Sequence, residues 1–370
     1  MSVQTSQPAR TAPGGQFALG LTITLLLVGL ASALAYLPWY RLAPATTFIS
    51  AHPVLNAFLD AIVVCAFIAA QCLFLIWLER KFAGWLQARL GPMHVGWKGT
   101  FQTVADAVKL LLKEDILPAH ADRPLFVIAP YLVFVPAVLA FMVLPFSLTW
   151  VGYDFGLSAL FALSISTVAA MGILAAGWGS NNKYSLLGGV RAVAQLLSYE
   201  IPMVLVVLTV AMVADTLSLT QIVQRQAGLW NIAAQPFLML PAFLIYFACS
   251  LAEVNRAPFD LPEAESELVS GFHTEYSGMR FAFFFLAEFA NNFFSAGLAV
   301  VLFFGGWLGP GLPAPVWFTL KVLLLIGLMM WVRWTLPRLR IDQMMGFCWK
   351  LLVPLAMVLL CATAVWLVRG

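Results

Sequence analysis

Phe126-Val-Ile-Ala-Pro-Tyr-Leu-Val-Phe-Val-Pro-Ala-Val-Leu-Ala-Phe-Met-Val-Leu-Pro-Phe-Ser-Leu148 runs for 23 residues without a charged side chain. As a helix, rising 1.5 Å per residue, it crosses the ~30 Å hydrocarbon core of a bilayer. Lipid offers no partner to a backbone N–H or C=O, so an unbroken apolar run of this length satisfies itself as a helix; barrel strands are shorter and alternate. Predominantly apolar runs of about 15–24 residues recur at 19–37, 57–78, 158–176, 199–213, 237–251, 281–304, 316–334 and 351–368. The fold class expected is therefore all-α, a polytopic transmembrane helix bundle of about nine spans.

The composition agrees. Of 370 residues 62% are apolar and 10% charged, with mean hydropathy +0.91, against about 25% charged in soluble domains. Cys65, Cys72, Cys249, Cys348 and Cys361 lie in or beside apolar runs without CxxC spacing, which argues against a disulfide framework or a thiolate metal cage and reads them as small core residues. Arg80, Lys81, Arg89, Lys98, Lys109, Lys113, Arg123, Lys183, Arg191, Arg256, Arg280, Arg338 and Arg340 fall in alternate loops, while the others hold little beyond Arg41 and Arg225. By the positive-inside rule the basic loops are cytoplasmic, and so is the N-terminus if all nine segments span. A polar tail (1–16) precedes the first run, and Ser32-Ala-Leu-Ala35 faintly suggests a cleavage site; an uncleaved anchor is preferred. Trp39, Tyr40, Trp150, Tyr153, Trp178 and Tyr184 read as interfacial anchors.

Between the second and third spans, Phe101, Val104, Ala105, Val108, Leu111 and Leu112 recur at helical spacing against Gln102, Asp106, Lys109 and Lys113. That is an amphipathic helix, too short and too charged to span, lying in the cytoplasmic-side interface. No internal repeat of the inverted-topology kind is found, which weighs against a free-standing ion-coupled transporter.

Three basic-side stretches are denser in polar and special residues than topology requires: 79–92, beginning Glu79-Arg-Lys; 177–202, containing Gly188-Gly, Arg191 and Glu200-Ile-Pro; and 253–280. The last carries six carboxylates against two arginines, interleaved with Phe, Leu and Pro. A connector has no need of such a composition.

These stretches, with Lys113-Glu-Asp115, the run from Arg333 to Gln343 and Trp349-Lys350, closely resemble the signatures of the H subunit of proton-translocating NADH:quinone oxidoreductase, respiratory complex I. The likeness covers the chain from about residue 55; most relatives begin at the helix ending near Glu79, so 17–54 reads as an extra hydrophobic segment and outer loop ahead of a membrane domain at 55–370. The resemblance implies a translocase subunit (class 7.1.1) of the bacterial inner membrane, not catalytic alone, with a quinone such as ubiquinone as substrate. Its partners are the soluble quinone-reducing arm and the antiporter-like membrane subunits, and no nucleic acid. FMN and iron–sulfur clusters belong to those partners, because this chain has no cluster ligands and no nucleotide-binding glycine fingerprint. The equivalent subunit of an energy-converting hydrogenase is the nearest alternative; Pro258-Phe-Asp-Leu-Pro262 and Gly271-Phe-His-Thr-Glu-Tyr276 favour the quinone branch.

From the resemblance, the membrane half of a quinone chamber would draw on Glu79, Arg80, Lys81, Arg89, Arg256, Phe259, Asp260, Phe272 and His273. A proton path would draw on Glu200, Glu253, Glu263, Glu265, Glu267, Glu275 and Glu288, since carboxylates at helix level are costly in lipid and face wet interiors. No metal site is expected. Each has a plainer reading. Glu79 and Glu253 stand at helix ends, where solvation or an arginine suffices, and Glu200 stands at the start of a span. Asp60 reads as an outer-end residue, Lys321 as a snorkelling one, and His273 as a satisfied loop histidine. Arg89, Arg191, Arg256 and Arg280 pair the acidic loop or touch substrate.

Overall fold

The computed structural model describes residues 53–148 and 150–369, with side chains from residue 61 onward except at 265 and 266. The expected span at 19–37, the aromatic anchors Trp39 and Tyr40, and the side chains of Asp60 and Glu265 lie outside the described residues. Among the described residues, eight helices long and apolar enough to cross a membrane follow one another. They are α1 (Pro53–Leu86), α2 (Arg123–Val143), α3 (Ser158–Gly179), α4 (Lys183–Ala214), α5 (Pro236–Glu253), α6 (Gly278–Phe303), α7 (Ala314–Thr335) and α8 (Ile341–Arg369). There is no strand among the described residues.

Helix ends differ from the apolar runs in an instructive way. α4 starts at Lys183, not near 199, because Asn182 accepts a hydrogen bond from the Tyr184 N–H (2.9 Å) as an N-cap. Once capped, the helix propagates through polar residues that its neighbours bury, so Arg191 is helical rather than in a loop and Glu200 sits deep in the helix rather than at its start. α8 likewise begins at Ile341 and passes through a π-helical turn, Cys348–Leu352. α1 continues past Glu79 to Leu86.

Aromatic and small residues set the helix spacing. Phe293 meets Phe67, Phe141 and Phe146 at centroid distances of 5.7–6.2 Å, and Phe126, Phe293, Phe303, Phe318 and Tyr246 are among the largest fully buried side chains. α2 and α3 approach closely at Gly172, where a Cβ would come within 2.6 Å of Val133 Cγ2. Small residues permit this backbone approach, which drives association where lipid removes the hydrophobic difference between helices. Cys72, Cys249 and Cys348 are buried as expected, but Cys361 is exposed on the outward face of α8.

The amphipathic helix forms at Gln102–Leu112. Phe101, Val104, Val108, Leu111 and Leu112 are exposed along it, and Asp106 turns the other way to meet Arg80 at 2.5 Å. Beyond its end, Ser277 Oγ accepts from the Ile116 N–H (3.2 Å) and donates to Glu114 O (3.1 Å), while Asp115 pairs with Arg280 at 3.1 Å. The segment is thereby tied to the first turn of α6.

Alternation of the eight helices places loops 87–122, 180–182, 254–277 and 336–340 on one side, the basic face, and the loops at 215–235 and 304–313 on the other. On the opposite face Lys321 corrects the expectation of a snorkelling side chain. It is 8% exposed, and its ammonium donates to the carbonyls of Phe304 (2.7 Å), Gly306 (3.0 Å) and Leu308 (2.7 Å). Trp230 lies 4.4 Å away as a cation–π partner. The C-terminal end of α6, where unpaired carbonyls concentrate, supplies the negative end of a helix dipole for this cation.

Candidate functional site at the basic face

Arg256 begins the loop after α5 and is 3% exposed. Its Nη1 donates to both carboxylate oxygens of Glu79 on α1, at 2.7 Å each. Its Nε lies 3.0 Å from Glu288 Oε1 on α6. Its plane sits 4.6 Å over the Phe289 ring. Arg333, from the last turn of α7, also donates to Glu79. Two carboxylates and two guanidiniums from three helices and a loop thus meet in one charge-balanced cluster, buried at Arg256 and Glu79 and half-buried at Glu288 and Arg333. Burial opposes the charge on Arg256, but Glu79 and Glu288 more than offset it and hold the guanidinium above its ordinary pKa. Solvation at a helix end is not the explanation for Glu79, which is 7% exposed.

Beside this cluster lies a cavity of about 50 Å³ lined by Glu253, Glu263 and Glu288, together with Tyr199, Ser166, Asn255, Asn291, Phe272 and Phe284. Three carboxylates from α5, the following loop and α6 therefore share one space. Small-molecule sites occupy about 300–1,000 Å³, whereas a water needs only ~10–15 Å³ of probe volume. This cavity fits water, not a quinone head. Glu253 Oε2 is buried there without a hydrogen-bond partner, a condition that costs about 1–3 kcal/mol unless a water answers it.

The remaining candidates divide. Glu200 accepts from Thr167 Oγ1 across the α3–α4 interface and lies next to Tyr199, which lines the cavity. Glu275 accepts from Asn182 Nδ2 at 2.7 Å. Glu267, 52% exposed, is held by Arg191 at 2.7 Å, and that hydrogen bond keeps its carboxyl below the usual range. Asp260 pairs with Arg338 at 3.0 Å, and Leu339 N–H donates to Pro258 O (3.0 Å), so the loop before α8 clamps the loop after α5. Phe259 is buried near Phe347 rather than at the cavity. His273 lies edge-on between Phe272 (4.9 Å) and Phe281 (5.3 Å), and burial pushes it down to about 4. Lys81 is turned to Pro92 O (2.6 Å) and Met93 Sδ (3.2 Å), and Arg89 to Gln87 (2.6 Å). Of the four arginines expected to pair the acidic loop, Arg191 does; Arg256 bridges Glu79 and Glu288, Arg280 pairs Asp115, and Arg89 meets Gln87.

Sequence reasoning missed Arg333, Arg338, Asn182, Thr167, Asn291 and Ser166 as members of this region. Arg333 and Arg338 stand in the run from Arg333 to Gln343 that carries the resemblance, but nothing in linear order couples α7 to Glu79. The threonine, serine and asparagines carry no charge to mark them.

A family model described as NADH dehydrogenase matches residues 59–364. The chain is 48% identical over 330 residues to the NADH-quinone oxidoreductase H subunit of Chlorobaculum tepidum, covering 84% of this chain and 92% of that one. It is 47% identical over 333 residues to the H subunit of Geobacillus thermodenitrificans (88% and 97%). To that of Bacillus cytotoxicus it is 50% identical over 292 residues (77% and 86%).

Proposed function

The chain belongs to the NADH dehydrogenase family, alongside proteins named as the H subunit of NADH-quinone oxidoreductase, and on that premise we propose that it is the membrane subunit that walls a quinone chamber and couples quinone reduction to proton movement. The observation that carries the coupling is the meeting of Glu253, Glu263 and Glu288 at one water-sized cavity whose rim, through Glu288, joins the Arg256–Glu79–Arg333 cluster. A carboxylate on that rim answers to two things at once: the charge of the loop cluster and the water of the cavity. Charge change in the loops, where a reduced quinone takes up protons, shifts the cluster and so alters proton affinity at Glu288.

The chamber itself is shared. The cavity is too small for a quinone, and Arg80, Arg89 and the apolar side of the Gln102–Leu112 helix are exposed, so the wall on this face is completed by neighbours. Those neighbours are the soluble arm, with its flavin and iron–sulfur centres, and the antiporter-like membrane subunits. The basic face is cytoplasmic in this reading, and the membrane is the bacterial inner membrane.

The test is to tag the C-terminus, solubilise native membranes in mild detergent and identify the co-purifying chains. Flavin and iron–sulfur subunits with antiporter-like subunits are the expected result; a nickel-bearing partner or a chain that purifies alone overturns the assignment. In the recovered complex, Glu288→Gln is expected to lower proton pumping; unchanged pumping and turnover would remove the coupling role.

A further inference from the structure

The end of α6 on the opposite face closes around a charge. Of its last carbonyls, Val300 O accepts from the Phe304 N–H (3.1 Å) and the Gly306 N–H (2.9 Å). Val301 O accepts from Gln226 Nε2 and Leu302 O from Asn231 Nδ2, each at 2.8 Å. The chain then turns through Gly305 (φ +71°) and Gly306 (φ +51°), left-handed positions that favour glycine. A Cβ there would strike Trp230 at 2.5 Å or Val223 at 2.6 Å. This turn brings the carbonyls of Phe304, Gly306 and Leu308 round one point, and the Lys321 ammonium of α7 fills it, at 2.7, 3.0 and 2.7 Å. Trp230 and Trp317 cover it from 4.4 and 5.8 Å.

This cage exceeds what capping a helix requires. The carbonyls of Val301 and Leu302 are served by neutral amides, whereas the next three share a full charge. All three donors of the ammonium are used, and among the described residues no carboxylate forms an ion pair with Lys321. Burying a cation without a counter-charge is costly. Membrane proteins do so where ions are selected or refused: backbone carbonyls replace the hydration shell of a potassium ion, and a fixed cation bars protons and cations from a pore. Lys321 joins the two arrangements, since an ammonium is close to potassium in size and takes the same oxygen ligands.

Its position matters as much as its ligands. From Leu298 to Phe303, α6 buries consecutive apolar residues, each at most 1% exposed. Glu288 of the same helix reaches the polar cavity, about 22 Å along the axis from Phe303. The cation therefore stands at the far end of a dry block, between that cavity and the opposite face.

We propose that the Phe304–Leu308 turn is a cage for a monovalent cation, occupied by the chain's own Lys321, and that this tethered cation closes the opposite face to small ions. Without the ammonium, three inward carbonyls present their negative ends to potassium, sodium or hydronium and the water that comes with them. With it, the cage is filled by a charge that cannot exchange. The quinone chemistry does not enter, so this proposal and the coupling reading stand or fall separately.

The intact complex carrying Lys321→Met tests it in two assays. In detergent, its melting midpoint is expected to fall in choline chloride and to recover when potassium chloride replaces choline at equal ionic strength, while the wild type responds equally to both salts. In proteoliposomes without NADH, at equal protein per vesicle, an imposed pH gradient is expected to decay about tenfold faster than with the wild type, as one fixed charge is lost from the barrier. Lys321→Gln keeps hydrogen-bond donors and removes only the charge; it is expected to leak likewise, and it is read in the same assays if methionine prevents assembly. A methionine variant that melts alike in the two salts overturns the cage. A glutamine variant that holds the gradient as long as the wild type reduces Lys321 to a structural cap and overturns the seal.

Discussion

Glu79 takes hydrogen bonds from both Arg256 and Arg333, while Arg256 alone faces Glu288. The two arginines are therefore not equivalent. Replacing Arg256 by Met breaks its buried pair with Glu79 and leaves the half-buried Glu288 beside a like charge, and breaking a buried pair costs about 3–5 kcal/mol; we predict loss of assembled complex, measured on native gels. Arg333→Met leaves Glu79 one arginine and is predicted to assemble. Equal assembly of both variants would contradict this division of roles. At Lys321, three carbonyls lose their donor in Lys321→Met, with a predicted loss of roughly 1–3 kcal/mol per stranded group, read as a lowered melting temperature in detergent; an unchanged midpoint would show the cap to be dispensable. His273 gives a pH prediction. Its folded pKa, about 4, lies below the ~6.5 of an unfolded histidine. The unfolded form then binds more protons between those values, so stability is fully present above pH ~6.5 and falls toward pH 4. Hydrogen-exchange protection in 271–276 is expected to weaken from pH 7 to pH 5 in the wild type and not in His273→Phe. A pH-independent wild type would mean the ring charges without opening the loop.

Among elements, α3 shows how small residues govern the bundle. Gly172 lies against the α2 backbone at Leu132 as well as the Val133 side chain, so Gly172→Val forces the helices apart. We predict a cost of about 1–3 kcal/mol, the usual penalty of overpacking, visible as a lower unfolding midpoint. Gly327 of α7, with nothing near a Cβ, is predicted to accept alanine with no loss, and equal sensitivity at both positions would rule out the close-approach argument. The acidic loop is held by elements distant in sequence: α4 through Arg191–Glu267 and Asn182–Glu275, and the loop before α8 through Arg338–Asp260. Partly exposed pairs such as Arg191–Glu267 contribute little individually. Their joint effect is to fix where Glu263 and Phe272 enter the cavity.

For the whole molecule, the polar side chains are distributed by face. The ion pairs joining distant helices gather on the basic side, and the opposite side is sealed by backbone-directed contacts at Gln226, Asn231 and Lys321. On the proposed function, such a protein works at its basic surface. Its activity is predicted to need partners there: the isolated chain is expected to transfer no electrons from NADH to quinone, while the assembled complex does, measured as NADH oxidation before and after detergent splitting. Activity of the chain alone would defeat the reading of it as a component.

Charge-free runs such as 126–148 by themselves determined that the chain is a helical membrane protein, because lipid admits few other solutions for an apolar backbone. Eight of the expected spans lie in helices of the described residues, and the interfacial helix at Gln102–Leu112 was legible from its period. The family was legible too, in the irregular motifs around Glu79, Glu200 and 253–280. What linear order could not decide was pairing. That Arg333 shares Glu79 with Arg256, that Glu200 lies deep in a helix capped by Asn182, and that Glu253, Glu263 and Glu288 face one cavity each depend on helix rotation and register. Rotation and register are set by packing at places such as Gly172 and the Phe293 cluster, and only the assembled bundle brings those surfaces together.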